Sequence, residues 1–245
     1  MTLAAVALAA SGCATAAGPA SAPTDSAAAV ASPSPSEIVG ETVTGVGSTG
    51  WPGVYLPFPA GARSVSIDFT CDGSGPYVVE LGDTMAENTA AISGLCGDQK
   101  PMMWPVTPDT LASIAVTVVE GSTWKAIPYF STAESPRDAA VTAECTAFTD
   151  IFSALFNADQ CYSNYKAFDA AVWSTRVQDA SSQLEELAGE STSSLKPVLA
   201  AMLQTVASAT VPGTALAGTD DAVAHVRAAC DANQTPSVIN AEFGG

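Results

Sequence analysis

Between residues 64 and 71 apolar and polar positions alternate: Val65, Ile67, Phe69 and Cys71 interleave with Ser64, Ser66, Asp68 and Thr70. A period of two marks a strand with one buried face, and it turns Cys71 inward. Further strand candidates are Ile38 to Val46, Val54 to Phe58, Tyr77 to Leu81, Ile92 to Cys96, Met102 to Val106, Leu111 to Val119 and Trp124 to Phe130. Turn signals separate them, among them Asp72-Gly73-Ser74-Gly75, Gly97-Asp98 and Glu120-Gly121-Ser122. No stretch supplies the helix of a parallel crossover, so residues 37–133 are expected to form an antiparallel β-sandwich of seven or eight strands.

From Asp138 the period becomes helical. Val141, Cys145, Phe148, Phe152 and Leu155 advance in steps of three and four. The same steps recur at Trp173, Val177, Ala180, Leu184 and Leu187, at Leu195, Leu199, Met202, Val206 and Ala209, and at Thr219, Val223, Val226 and Cys230. Each series is one apolar helix stripe, and four stripes with short breaks predict a small antiparallel bundle over 138–232, followed by a tail, 233–245. Gly189 to Ser194 and Pro212-Gly213 are the expected breaks; Asp220 and Asp221 suit the start of the last helix, where carboxylates can accept free N–H groups. The fold class is therefore α+β, in two domains.

The apolar stripes bear on the cysteines. Cys71 and Cys96 each end a strand candidate and are an expected disulfide, with a chain-entropy contribution of ~3 to 4 kcal/mol. Cys145 in the first helix and Cys230 in the last fall at adjacent ends of an up-down-up-down bundle, which makes them the second pair. Cys161 lies ~24 Å further along a helix and becomes a free thiol. Residues 157–164 contain no Gly or Pro, so one long helix could run through them, and Cys161 with Cys230 is then the rival pairing.

Residues 1–36 have another composition: an apolar run from Thr2 to Ala10, then Ser11-Gly12-Cys13, then almost only Ala, Ser, Pro, Thr and Gly. Nine apolar residues span ~14 Å as helix, too short for a bilayer core. Ala10-Ser11-Gly12-Cys13 resembles the lipobox of a bacterial lipoprotein, which implies that residues 1–12 are a signal-peptide-like segment, that Cys13 carries the lipid, and that 13–36 are a disordered tether. No base precedes Arg63, so either the true start lies upstream of Met1 or the signal is atypical. Cleavage near Ala16, giving a secreted protein, and a disordered cytosolic tail are the alternatives.

The folded region carries further likeness. Phe69-Thr70-Cys71-Asp72-Gly73-Ser74-Gly75, Leu95-Cys96-Gly97 and Trp124-Lys125-Ala126-Ile127-Pro128-Tyr129-Phe130 are similar to β-domains of envelope proteins of high-GC Gram-positive bacteria. The helical region, with a Cys in its first and last helices, resembles uncharacterised actinobacterial-type cell-envelope lipoproteins. The resemblance implies lipid anchoring on the extracellular side of the cell membrane and brings no activity with it.

Charge narrows the function classes. Of 245 residues, 25 are acidic and 8 basic, for a net charge of -17. Residues 37–133 carry ten acids and three bases, and 134–245 fourteen and five, so both halves repel nucleic acid and anionic headgroups. Partners are then an envelope protein or a glycan, with no nucleic acid, and with the membrane met only through the lipid anchor.

Candidate chemistry is sparse. His225 falls off its helix stripe and is expected to face solvent, and no Ser stands in a G-x-S-x-G context. Glu80, Asp83 and Glu87, near Asp68 and Asp72, could offer oxygens to Ca²⁺ but follow no EF-hand spacing. Glu185 and Glu186 are helix-surface residues. Cys161 has only Lys166 nearby in sequence to lower its pKa. No catalytic, cofactor or metal residues are assigned. Trp51, Trp104 and Trp124, with Tyr55, Tyr77 and Tyr129, are candidates for ligand stacking, provided that at least two share an exposed face. The expectation is a tethered, non-catalytic binding or structural lipoprotein; the alternatives are a secreted carbohydrate-binding protein and an extracellular enzyme of unknown class.

Overall fold

The computed structural model describes residues 36–98 and 102–243. Among the described residues nine strands are followed, after one short helix among them, by four longer helices. The strands are β1 (Glu37–Val39), β2 (Val43–Val46), β3 (Val54–Tyr55), β4 (Ser64–Cys71), β5 (Pro76–Leu81), β6 (Ile92–Leu95), β7 (Met102–Pro105), β8 (Ser113–Val118) and β9 (Thr123–Ser131). The helices are α1 (Thr84–Glu87), α2 (Ala139–Ser163), α3 (Ala170–Glu190), α4 (Lys196–Ala207) and α5 (Asp220–Ala232).

All strand pairs are antiparallel, in two sheets: β1-β9-β4-β7, with β2 also on β9, and β3-β8-β5-β6. The alternation in β4 does what its period requires: Val65, Ile67 and Phe69 are buried while Asp68 is exposed. Their partners across the register are Phe130 and Trp104 for Val65, and Met102 for Ile67. Inward residues of both sheets, including Val79, Leu81, Ile114 and Val116, join these in one hydrophobic cluster.

The expected strand 38–46 is two strands, which raises the count from seven or eight to nine. Pro128 of β9 has no N–H to offer across the ladder, and the chain breaks opposite it, with Gly40 N donating to Pro128 O at 2.8 Å. A Cβ at Gly40 would sit 2.7 Å from the Phe130 ring, so the approach needs glycine. The expected strand 54–58 shortens to two residues. Helix α1 has no counterpart in the sequence expectations; Asp83 caps it, accepting from Ala86 N at 3.0 Å.

The four apolar stripes are the buried faces of α2 to α5. Cys145, Phe148, Phe152 and Leu155 of α2 pack with Trp173, Val177 and Leu184 of α3, Leu199, Met202 and Val206 of α4, and Val223, Val226 and Cys230 of α5 in a second cluster. Helix α2 is long and apolar enough to cross a membrane by length and composition, yet its buried face packs here against the other helices. It continues through residues 157–163, and α3 continues through Gly189, so the break before α4 is shorter than expected. Asp138 and Asp169 cap α2 and α3 through side-chain oxygens. Asp220 and Asp221 lie in the first turn of α5, but no side-chain hydrogen bond caps that helix, so they act there only as charges at the positive end of the helix dipole.

Residues past α5 are bound to the fold. Asn240 N donates to Ser153 Oγ, Asn157 Nδ2 donates to Asn240 O, and Glu242 N donates to Asn157 Oδ1, so the final segment runs along α2. Tyr165 stacks on Phe243, and Arg176 pairs with Glu242 at 2.7 Å.

Candidate functional site

Three segments meet at one end of the strand region. The turn Pro59–Ala62, closed by Ala62 N donating to Pro59 O at 3.1 Å, delivers Arg63 to the start of β4. Arg63 is pinned on both sides: its N–H donates to Ser131 O at 2.8 Å, and its carbonyl accepts from Val106 N at 2.9 Å. Beyond β7, Thr110 Oγ1 accepts from Thr107 N at 3.0 Å and folds residues 107–110 into a turn. After β9, Ser64 Oγ donates to Ala133 O at 2.9 Å and holds the chain that carries Glu134 to Arg137.

Between these segments lies a cleft of about 870 Å³. Phe58, Pro59, Ala62, Pro105, Val106 and Pro108 form its apolar surface, and Thr107, Thr110 and Ser135 add hydroxyls. Two of the eight bases, Arg63 and Arg137, line it, and Arg63 forms an exposed ion pair with Glu134. Several other bases serve local packing: Arg227 lies over Phe152, Arg176 over Phe168, and Lys196 Nζ donates to the carbonyls of Gly189 and Ser191. Among the described residues Arg137 has no carboxylate partner.

The cysteines sort by position. Cys71 is joined to Cys96 and Cys145 to Cys230, while Cys161 is a buried thiol. The rival pairing of Cys161 with Cys230 is not formed, and neither is the single helix through both stripes that it presupposed: α2 stops at Ser163 and α3 begins at Ala170. Burial pushes the Cys161 pKa up, Glu242 on the final segment adds to that, and Arg176 opposes it. Lys166 lies over the Tyr162 ring instead. Cys13 lies outside the described residues.

Two of the three proposed stacking tryptophans are corrected. Trp104 and Trp124 are buried, because each indole N–H has a partner inside: Trp104 Nε1 donates to Ala90 O at 2.8 Å, and Trp124 Nε1 to Gly47 O at 2.9 Å. Gly45 leaves room for the Trp124 ring, which a Cβ there would strike. Trp51 is 75% exposed and Tyr55 71%, whereas Tyr77 is buried.

His225 is exposed on α5. The acidic candidates do not converge: Glu87 Oε1 accepts from Asp83 N and Leu111 N, Glu80 accepts from Thr84 Oγ1, and Asp72 accepts from Thr123 Oγ1. No three His, Cys, Asp or Glu side chains among the described residues are grouped to hold a metal ion. Glu185 and Glu186 are exposed on α3.

Other carboxylates hold the helices together. Glu144 of α2 is buried and accepts from Thr192 N at 3.0 Å, Ser193 N at 3.2 Å and Ser193 Oγ at 2.5 Å. Burial alone would raise its pKa, but these hydrogen bonds to the charged form outweigh that and leave it below the ordinary value. Asp159 accepts from Trp173 Nε1, Ala215 N and Leu216 N, fixing the loop between α4 and α5. Sequence reasoning missed Arg63, Glu134 and Arg137 as well as these two. The one available signal for the cleft was scarcity: with eight bases in the chain, the placement of each carries weight.

No protein-family model matches the chain, and no curated protein matches it. Among solved structures, one match comes from Bacillus endospore appendages, described as a novel family of disulfide-linked pili, at 9% identity and a TM-score of 0.30. It covers 41% of this chain and 89% of that one. Superposition at that level carries nothing over to this protein.

Proposed function

We propose that the chain is a surface-tethered, non-catalytic binding protein of the bacterial envelope, held by a lipid on Cys13 through a tether of residues 13–36. In this reading the two sheets are a β-sandwich domain, 37–133, and the helices are a separate bundle domain, 138–232. The observation that carries it is the cleft: a concavity of about 870 Å³ whose lining is apolar side chains, hydroxyls and two arginines, with Glu134 its one carboxylate and no His or Cys. Such a surface offers shape and charge to a ligand but no acid–base pair and no nucleophile–base pair. Two disulfides are compatible with an oxidising location outside the cell.

A second reading, a secreted glycan-binding protein, keeps Trp51, just before β3, and Tyr55, within it, both exposed aromatics. The two readings part on the first residue of the mature protein. Intact mass of the protein taken from the membrane fraction of its host is expected to show diacylglycerol on an amino-terminal Cys13; an unmodified first residue near Ala16 in the culture medium would overturn the tethered reading.

A further inference from the structure

We infer that the cleft beside Arg63 is a binding site for a single carboxylate carried on an apolar, otherwise uncharged body, and that Glu134 occupies the carboxylate position when the site is empty. The inference rests on the binding reading above and names its ligand class.

Charge selects the ligand first. At a net charge of -17 the protein repels extended polyanions over most of its surface. A compact monoanion is different, because at physiological salt screening limits what it feels to groups within ~8 Å. In the cleft those groups include Arg63 and Arg137, which outnumber Glu134.

Geometry selects the carboxylate. A guanidinium presents a planar fork that matches a carboxylate, and Arg63 already holds one in Glu134. That pair is exposed on both sides, with side-chain exposures of 56% and 72%, so solvent weakens it and an incoming carboxylate can replace it. Arg137, three residues past Glu134 and on the same wall, is a second donor without a carboxylate partner among the described residues.

The walls select the rest of the ligand. Phe58, Pro59, Val106 and Pro108 offer apolar surface, and the volume falls in the ~300–1,000 Å³ range of small-ligand sites. A sugar ring would want a free aromatic face. Phe58, the cleft's aromatic residue, is half-buried with its ring packed edge-on against Phe130 at 5.8 Å, and Trp51 does not line the cleft. An apolar acid or the carboxyl end of an apolar peptide fits better than a glycan.

The test uses full-length protein and amide-resolved NMR titration with two acids, phenylpropionate and N-acetyl-prolyl-phenylalanine, each set against its neutral carboxamide. Saturable shifts are expected at Arg63, Val106, Thr107 and Thr110 with at least one acid, with the matching carboxamide at least tenfold weaker. Which acid binds more tightly tells a free acid from a peptide terminus. Glu134→Gln, which frees Arg63, is expected to tighten binding three- to tenfold, and Arg137→Ala to weaken it about tenfold. A gain of affinity cannot come from damage to the fold, so the Glu134 variant keeps the test clear of misfolding. Equal affinity for acid and carboxamide, unchanged affinity in Glu134→Gln, or shifts centred away from the cleft would overturn the inference. The lipid state of Cys13 is read separately by mass, so the tethered reading stands or falls without this result.

Discussion

The side chain of Gln234 satisfies both backbone groups of Ala90. Its Oε1 accepts from Ala90 N at 2.9 Å, and its Nε2 donates to Ala90 O at 3.4 Å, with both residues buried. Ala90 lies between α1 and β6, and Gln234 just past α5, so this contact fastens the strand region to the helical region. Gln234→Ala leaves the Ala90 N–H buried without an acceptor, at a cost of ~1–3 kcal/mol. Urea unfolding is the measurement; a midpoint equal to that of the parent would show that the contact is incidental.

Glu144 makes stability depend on acid. Its folded pKa lies below its unfolded one, so its contribution is fully present above the unfolded carboxylate range and is lost as pH falls through the folded value. Glu144→Ala is expected to cost about 2–4 kcal/mol near neutral pH, because Thr192 N and Ser193 N lose their acceptor, and less once the parent carboxylate is protonated. Thermal melts of both proteins across the acidic range check this; a constant difference would contradict it.

The final segment shields Cys161. With its pKa raised by burial and by Glu242, the thiol is expected to resist N-ethylmaleimide in the native protein at mildly alkaline pH. Glu242→Ala removes both the ion pair to Arg176 and the charge that helps to raise the thiol's pKa, and should speed alkylation several-fold. Mass spectrometry of the time course reads the rate, and fast labelling of the parent protein would refute the shielding.

The two disulfides should differ in access. Cys145 and Cys230 are wholly buried, whereas Cys71 is only partly so. Mild reductant on the folded protein is expected to open Cys71–Cys96 first, leaving Cys145–Cys230 until the helices unfold. Chain entropy gives the second pair the larger effect, ~4.6 against ~3.5 kcal/mol, for separations of 85 and 25 residues. Peptide mapping after timed quenching distinguishes the order.

Local periodicity made much of this fold legible. The series Trp173, Val177, Ala180 and Leu184 is buried because helix geometry alone puts those positions on one side, and Val65, Ile67 and Phe69 follow the strand period in the same way. What stayed hidden depends on partners distant in the chain. The break at Gly40 is set by Pro128, the burial of Trp124 by the room at Gly45, and the docking of the last residues by Ser153 and Asn157. The cleft is of that kind as well: Arg63, Val106 and Glu134 are neighbours only because the start of β4 pairs with the ends of β7 and β9.

The hydrogen bonds that fasten Ser36 to Thr132 also define a load path. Ser36 N donates to Thr132 Oγ1, Thr132 N donates to Ser36 O, and Glu134 stands two residues further on. Tension applied between Ser36 and a ligand in the proposed cleft site would therefore cross the molecule at one corner. Neither disulfide cysteine pair belongs to β1 or lines the cleft. The first element to yield would be β1, whose three residues pair with Ser131, Phe130 and Tyr129 of β9.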